Sequence, residues 1–262
     1  MTCPKYDFHI HTKHLGCANA TMEVPAIVAE CRRLGLASIA MTDHMYGPAE
    51  LELHDRIRRD IEALDAETQV EVFFGVELNF SGCDQGFPFS DQIKAEHGFQ
   101  FAIGGIHGTY LDAYDLGKLV DIQHRHHLRT CLDPLVEVVV HPYWFGKGEF
   151  DKKGFPWFDS MKAVPESCVR ELGQVARQSR TAIEINGSAH FTNPGHSQEF
   201  IKSYMDFLAI LADEGATFSV GSDAHDIGNL VSIQAAWRVV DELRIPPERI
   251  WRPNCRPLVG GA

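Results

Sequence analysis

From Tyr6 to Leu243 the chain alternates between two kinds of segment. Short runs rich in β-branched and aromatic residues fall at Tyr6–His11, Ser38–His44, Val70–Leu78, Phe101–His107, Val136–Pro142, Ala182–Asn186 and Phe218–His225. Stretches with apolar residues at helical spacing lie between or after them: Glu23–Leu34, Leu51–Glu67, Ala113–Leu132, Glu166–Ser179, Gln198–Asp213 and Gly228–Leu243. A helical crossover returns the chain to the same end of a sheet, so strands joined this way run parallel. Val136-Glu137-Val138-Val139-Val140 is nearly all apolar, as a strand covered by helices should be. Seven such strands with no break in composition predict one α/β domain over residues 1–262. A closed or nearly closed barrel is expected, and an open doubly wound sheet is the competitor. No Gly-x-Gly-x-x-Gly follows the first strand, which argues against dinucleotide binding. Two connections, Phe80–Gly98 and Tyr143–Met161, are longer than ordinary strand–helix loops, a common mark of functional segments.

Charge narrows the partners. Lys+Arg 24 against Asp+Glu 36 gives a net charge of -12, with no broad footprint for nucleic acid or an anionic membrane. No run of about 18 apolar residues predicts a membrane span. The start, Met1 to Asp7, lacks the charged-then-apolar pattern of a secretory signal. Seven scattered cysteines without Cys-x-x-Cys predict free thiols in a reducing compartment, so a cytoplasmic location is expected. Oligomeric state leaves no readable mark. The unusual count is 14 His.

Their positions carry the chemistry. The strands end in His9-Ile10-His11, Thr42-Asp43-His44, Gly75-Val76-Glu77, Gly105-Ile106-His107, Val140-His141-Pro142, Glu184-Ile185-Asn186 and Asp223-Ala224-His225. Strand alternation sends His9 and His11 to one face and Phe8 and Ile10 toward the helices. In a parallel barrel all C-terminal strand ends open on one face. Imidazole and carboxylate are the usual ligands of Zn, Mn and Fe. Six histidines, one glutamate and one aspartate are too many for one ion and enough for two or three. A single strand-end histidine is ordinary, His141 above all, because His-Pro also reads as a strand stop. Six at equivalent positions are not ordinary, since burial without a cation would leave ring nitrogens unpaired.

The ordered motifs resemble the PHP (polymerase and histidinol phosphatase) family of metal-dependent phosphoesterases. They are H-x-H-T (His9 to Thr12), T-D-H (Thr42 to His44), G-x-E (Gly75 to Glu77), G-x-H (Gly105 to His107), H-P (His141, Pro142) and S-D-A-H (Ser222 to His225). The resemblance implies a distorted barrel of seven βα units. It also implies a centre of two or three divalent ions, zinc, manganese or iron. His9, His11, Glu77 and Asp223 would hold the first ion. Glu77 would bridge to a second, bound by His107 and His141, and His44 and His225 would hold a third. The last ligand of that third site is commonly a histidine eight positions after His9, where this chain has Cys17. Either Cys17 completes the site and biases it toward zinc, or His14 swings in, or the third site is weak.

The implied activity is hydrolysis of a small phosphorylated metabolite, monoester or diester, by metal-activated water, with Asp223, Glu77 and His225 as catalytic residues. Lys13, His14 and Asn186 are the candidate substrate contacts, and the loop Tyr143–Gly148 a candidate cover for the leaving group. Glu184 reads as a support that holds a ligand histidine. His124-Arg125-His126-His127 reads as a solvated helix face. Competing functions are an amidohydrolase-like C–N or C–O hydrolase, a histidinol phosphatase specifically, and a module like the PHP domain of DNA polymerases. The amidohydrolase usually has a bridging lysine where Glu77 stands. The polymerase domain is embedded in much longer chains. Arg252 to Pro257 is expected either under the barrel or loose.

Overall fold

The computed structural model describes residues 5–65 and 68–260. Its strands are β1 (Tyr6–Ile10), β2 (Ser38–Met41), β3 (His44–Met45), β4 (Glu71–Asn79), β5 (Phe101–Gly105), β6 (Val138–Val139), β7 (Ala182–Asn186) and β8 (Phe218–Gly221). The main strands lie side by side in the order β1-β2-β4-β5-β6-β7-β8, and all these pairings are parallel. Two-residue β3 prolongs the path of β2 and pairs with β4, His44 beside Glu77. The two edges approach each other at the rim. Asp223 N donates to His9 O at 2.8 Å, and His11 N donates to Ala224 O at 3.2 Å. The result is a nearly closed barrel of seven parallel strands, the barrel alternative of the two expected.

The helices are α1 (Val24–Arg33), α2 (Leu51–Glu62), α3 (Asp91–His97), α4 (Leu116–Cys131), α5 (Lys147–Lys153), α6 (Glu166–Ser179), α7 (Gln198–Asp213) and α8 (Ile233–Glu242). Short α3 and α5 occupy the two long connections. Helix α2 stops at Glu62, and Ala66 and Glu67, at the end of its expected range, lie outside the described residues. Helix α4 begins three residues later than apolar spacing predicts. The reason is the Asp115 side chain, which accepts from Lys118 N at 3.0 Å and caps the helix.

The lower barrel is filled with rings. Phe8 lies 5.6 Å from Phe73, 6.3 Å from Phe101 and 5.9 Å from Trp251, centroid to centroid. Contact across two intervening strands puts Phe8 inside the barrel, not toward the helices. The β1–β2 register slips between Asp7 and Ile10, and a bulge of this kind resets strand alternation. Burying an aromatic side chain here contributes roughly 1.5–3 kcal/mol. The tail closes this end. Trp251 N donates to Phe218 O at 2.8 Å, and Val259 bridges antiparallel to Val72. The C-terminal segment is therefore packed under the barrel.

Helix α4 corrects a second expectation. His124, His126 and His127 are all buried. His124 Nε2 meets Glu171 at 2.9 Å, His126 packs on Phe80 and Tyr110, and His127 Nε2 accepts from Tyr143 N at 3.4 Å. Of that run only Arg125 faces solvent.

Candidate metal centre

Glu77 is the hub. It points inward from β4 and is fully buried. Its Oε2 lies 3.3 Å from His9 Nε2, 3.4 Å from His11 Nε2 and 2.8 Å from His44 Nδ1. Its Oε1 lies 3.1 Å from His107 Nε2 and 2.9 Å from His141 Nε2. Asp223 Oδ1 lies 3.1 Å from His11 Nε2, 3.5 Å from His9 Nε2 and 3.6 Å from His225 Nδ1. Cys17 joins from the loop after β1. The ligand-capable atoms of His11, Cys17, His44 and His225 fall within 4.8 Å of one another, as do those of His9, His11 and Glu77, and those of His44, Glu77 and His107.

The backbone makes room for this. A Cβ on Gly105 would stand 2.6 Å from Glu77 Oε1, and one on Gly221 would stand 2.3 Å from Glu184 Oε1. His141 and Asp223 both take positive φ, 31° and 56°. For a residue with a side chain that backbone costs about 1–2 kcal/mol, and it turns both side chains into the barrel mouth.

A layer of buried polar groups fixes the rings. Glu184 Oε1 takes His9 Nδ1 at 2.7 Å, which leaves His9 Nε2 facing Glu77 and Asp223. The other oxygen of Glu184 accepts from His141 N at 2.8 Å and from Asn186 Nδ2 at 2.9 Å. Asp43 Oδ1 accepts from both the amide and the hydroxyl of Thr12 at 2.9 Å, which ties the His9-Ile10-His11-Thr12 segment to the end of β2. Asn79 Nδ2 sits 2.9 Å from His107 Nδ1, while Asn79 Oδ1 is buried without a partner. The flipped amide would accept from His107 Nδ1 and leave the Nε2 lone pair facing Glu77, and amide orientation is assigned by such networks.

The donor set fits cations. His9 Nε2 and His11 Nε2 are 3.1 Å apart, and buried Glu77 Oε2 lacks a hydrogen bond of good geometry. Protonating neighbouring rings would set like charges about 4 Å apart, costing about 4 kcal/mol per pair at an effective dielectric of 20. Leaving the rings neutral strands buried nitrogens. Ligand atoms about 2.0–2.2 Å from a tetrahedral ion stand roughly 3.3–3.5 Å from each other, close to the spacings here. Burial opposes charge on both carboxylates. It is overridden at Glu77 by His44, His9 and His107, and at Asp223 by His9 and His11, so both lie below the ordinary carboxylate range. Cys17 is exposed at the edge of its group. Its partial desolvation, then the carboxylates of Asp43 and Glu77, push the thiol up to about 12. A cation at this position would displace that proton.

Nine residues named from the sequence converge: His9, His11, Cys17, His44, Glu77, His107, His141, Asp223 and His225. Three do not face the opening. Lys13 pairs with Glu23 at the surface, and His14 Nε2 binds Asp60 at 2.7 Å, so Cys17 and not His14 stands with the third group. Asn186 is fully buried, donating to Glu184 and, at 3.3 Å, to Asp223 Oδ2, while its oxygen accepts from Ala189 N. It orients carboxylates. The cleft above the cluster has a volume of about 270 Å³. Beyond the histidines and Asp223 it is lined by Trp144, Ser188, Ala189, Asn193 and Asn229. The loop length after β6 flags Trp144, whereas nothing in the sequence distinguishes Asn193 or Asn229.

The chain is similar to known proteins. The family profile of the PHP domain matches residues 7–188, which include seven of the converging residues and stop short of Asp223 and His225. A "probable phosphatase" of Tolumonas auensis is 24% identical over 262 residues, spanning 97% of this chain and 93% of that protein. Another "probable phosphatase", of Enterobacter sp. strain 638, is 23% identical, spanning 97% and 91%. The solved structure of a "putative histidinol phosphatase" from Listeria monocytogenes has a TM-score of 0.59 at 12% identity, covering 86% of this chain and 97% of that one, a likeness of fold. A barrel of seven parallel strands, with the family's motifs in order along its rim, belongs to the PHP domain family.

Proposed function

We propose that this chain is a metal-dependent phosphoesterase that hydrolyses a small phosphorylated metabolite at a centre of two or three divalent ions. The observation that carries this reading is the division of Glu77, one oxygen facing His9, His11 and His44 and the other facing His107 and His141. A carboxylate so placed suits a bridge between two cations. His9, His11, Glu77 and Asp223 would hold one ion, Glu77, His107 and His141 a second, and Cys17, His44 and His225 a third. Zinc, manganese or iron, when bound, would supply Lewis acidity and a water that ionises near neutral pH. The relatives named as probable phosphatases support a phosphate ester as substrate.

The chain's own groups do the rest. Glu184 holds His9 in one tautomer and pins the His141 turn. Asn186 steadies Asp223 Oδ2. Asp223, kept ionised and lining the cleft, accepts a hydrogen bond from the attacking water and orients it toward phosphorus. His225 donates from Nδ1 to the Asp223 carbonyl at 3.0 Å, which turns its Nε2 away from that carbonyl. The test is chelation followed by reloading with Zn, Mn or Fe, with elemental analysis and hydrolysis of phosphate esters and amides. Chelation should abolish hydrolysis, and reloading should restore it toward phosphate esters. Asp223→Asn should cost about 10²–10⁴-fold in rate. Full activity in chelated protein, or in that variant, contradicts the proposal.

A further inference from the structure

We infer that the substrate is a phosphodiester with one apolar or aromatic arm and one polar arm, an inference that rests on the phosphoesterase reading above. The cluster lies at the junction of two clefts. One is the cleft of about 270 Å³ whose rim carries the hydroxyl and amides of Ser188, Asn193 and Asn229 beside Trp144 and Ala189. The other, about 380 Å³, is lined by Leu15, Tyr46, Ala49 and Leu53 together with Cys17 and His44. His44 belongs to both walls. A phosphorus held at the cluster therefore has a cleft on each side. A monoester has one organic substituent and would leave one cleft unused, while a diester fills both.

The chemistry of the two walls differs, and so do the arms they suit. Tyr46 is 61% exposed, an aromatic ring at the rim with Leu15, Ala49 and Leu53 beside it. An apolar or aromatic group covers that surface. On the other side, hydroxyl and amide groups beside an indole suit a planar or hydroxylated group.

Charge points the same way. Among the described residues no lysine or arginine lines either cleft. Lys13, the nearest basic residue in sequence to the first histidines, is engaged by Glu23. Glu50, whose Oε2 accepts from Gly47 N at 2.8 Å, adds negative charge to the apolar cleft. A second phosphate on either arm would call for a cationic side chain to hold it, so the arms that suit these clefts carry no further anionic group. In the reaction the water oxygen forms a new bond to phosphorus, and the P–O bond to one arm breaks. One water proton ends on the departing alcohol and the other stays with the monoester product.

The experiment uses metal-loaded full-length protein with three probes: bis(4-nitrophenyl) phosphate, methyl 4-nitrophenyl phosphate and 4-nitrophenyl phosphate. We expect kcat/KM for the first to exceed that for the third at least tenfold, and replacement of one aryl arm by methyl to lower it at least tenfold. Ala49→Trp fills the apolar cleft from an exposed position and should lower the diester-to-monoester ratio about tenfold. Leu53→Ala, which cannot block the cleft, should lower it less. Calorimetry adds a binding readout, with diphenyl phosphate bound more tightly than phenyl phosphate and the difference reduced in Ala49→Trp. Preference for the monoester, or a ratio unmoved by both substitutions, overturns the inference and leaves the phosphoesterase reading standing. Hydrolysis of none of the three removes both.

Discussion

Two groups of histidines, one on α4 and one at the barrel rim, are built on opposite principles. On α4, His124, His126 and His127 each have a separate neighbour: a carboxylate of α6, two aromatic rings, and a backbone amide. At the barrel rim, His9, His11, His44, His107 and His141 all turn a nitrogen toward one carboxylate. In the first arrangement no two rings share a partner, and the Nδ1 of each is left without a hydrogen bond. The second is satisfied only by something that several lone pairs share. Burial of a histidine therefore says little about metal, whereas convergence on a common acid says a great deal.

The comparison can be broken at its strong end first. Glu77→Gln should remove most bound metal and take phosphate ester hydrolysis below detection, read by elemental analysis and a colorimetric assay. Chelated Glu77→Gln should still fold, because the change also removes a buried charge. His127→Ala should do the reverse. It should cost about 2–4 kcal/mol of stability by loss of a buried ring, seen in urea unfolding, with metal stoichiometry unchanged. If His127→Ala loses metal and Glu77→Gln does not, the division between the two groups is wrong.

Acid should sharpen the same contrast. Burial lowers His54 and His126 to about 4, and holds His127 and His190 well below the ordinary value. The unfolded chain binds protons on these rings near pH 6.5 and the folded chain does not. The contribution of these rings is thus full above about pH 6.5 and falls as pH drops from there toward 4. His54 alone accounts for about 3 kcal/mol over that window. Asp7 and Asp43, raised by burial to about 7, act in the opposite sense, so the test compares chelated wild type with His54→Gln from pH 8 to 4.5: the variant should lose less stability below 6.5, and an equal loss contradicts the account. The smallest effect belongs to Lys13→Ala, which breaks an exposed pair with Glu23. It should change stability by less than about 1 kcal/mol and leave turnover within about twofold.

How much of this the residue order reveals depends on which physical rule applies. Parallel crossovers and strand-end position suffice to bring eight candidate ligands to one face, because strand direction fixes where each end goes, whereas Cys17 comes from the loop after β1. Alternation along β1 fails at Phe8, since a bulge is a matter of backbone register that Asp7-Phe8-His9 does not announce. Spacing on α4 correctly places His124 and His127 on one side, but not which side α6 and the Tyr143 loop cover. Counting from His9 leaves both His14 and Cys17 in contention. The left-handed turn at Gly16 and the Asp60 carboxylate separate them, sending His14 outward. The left-handed backbones at His141 and Asp223 are invisible in a list of residues, because neither is glycine.

The central claim is that the groups around Glu77 hold cations. Anomalous diffraction from crystals of protein reloaded with zinc or manganese tests it most directly. The account predicts two or three peaks, each about 2.0–2.3 Å from its ligands, with one within reach of both His9 Nε2 and His11 Nε2 and a second within reach of His107 and His141. A map from reloaded crystals with no anomalous peak beside Glu77 would contradict it.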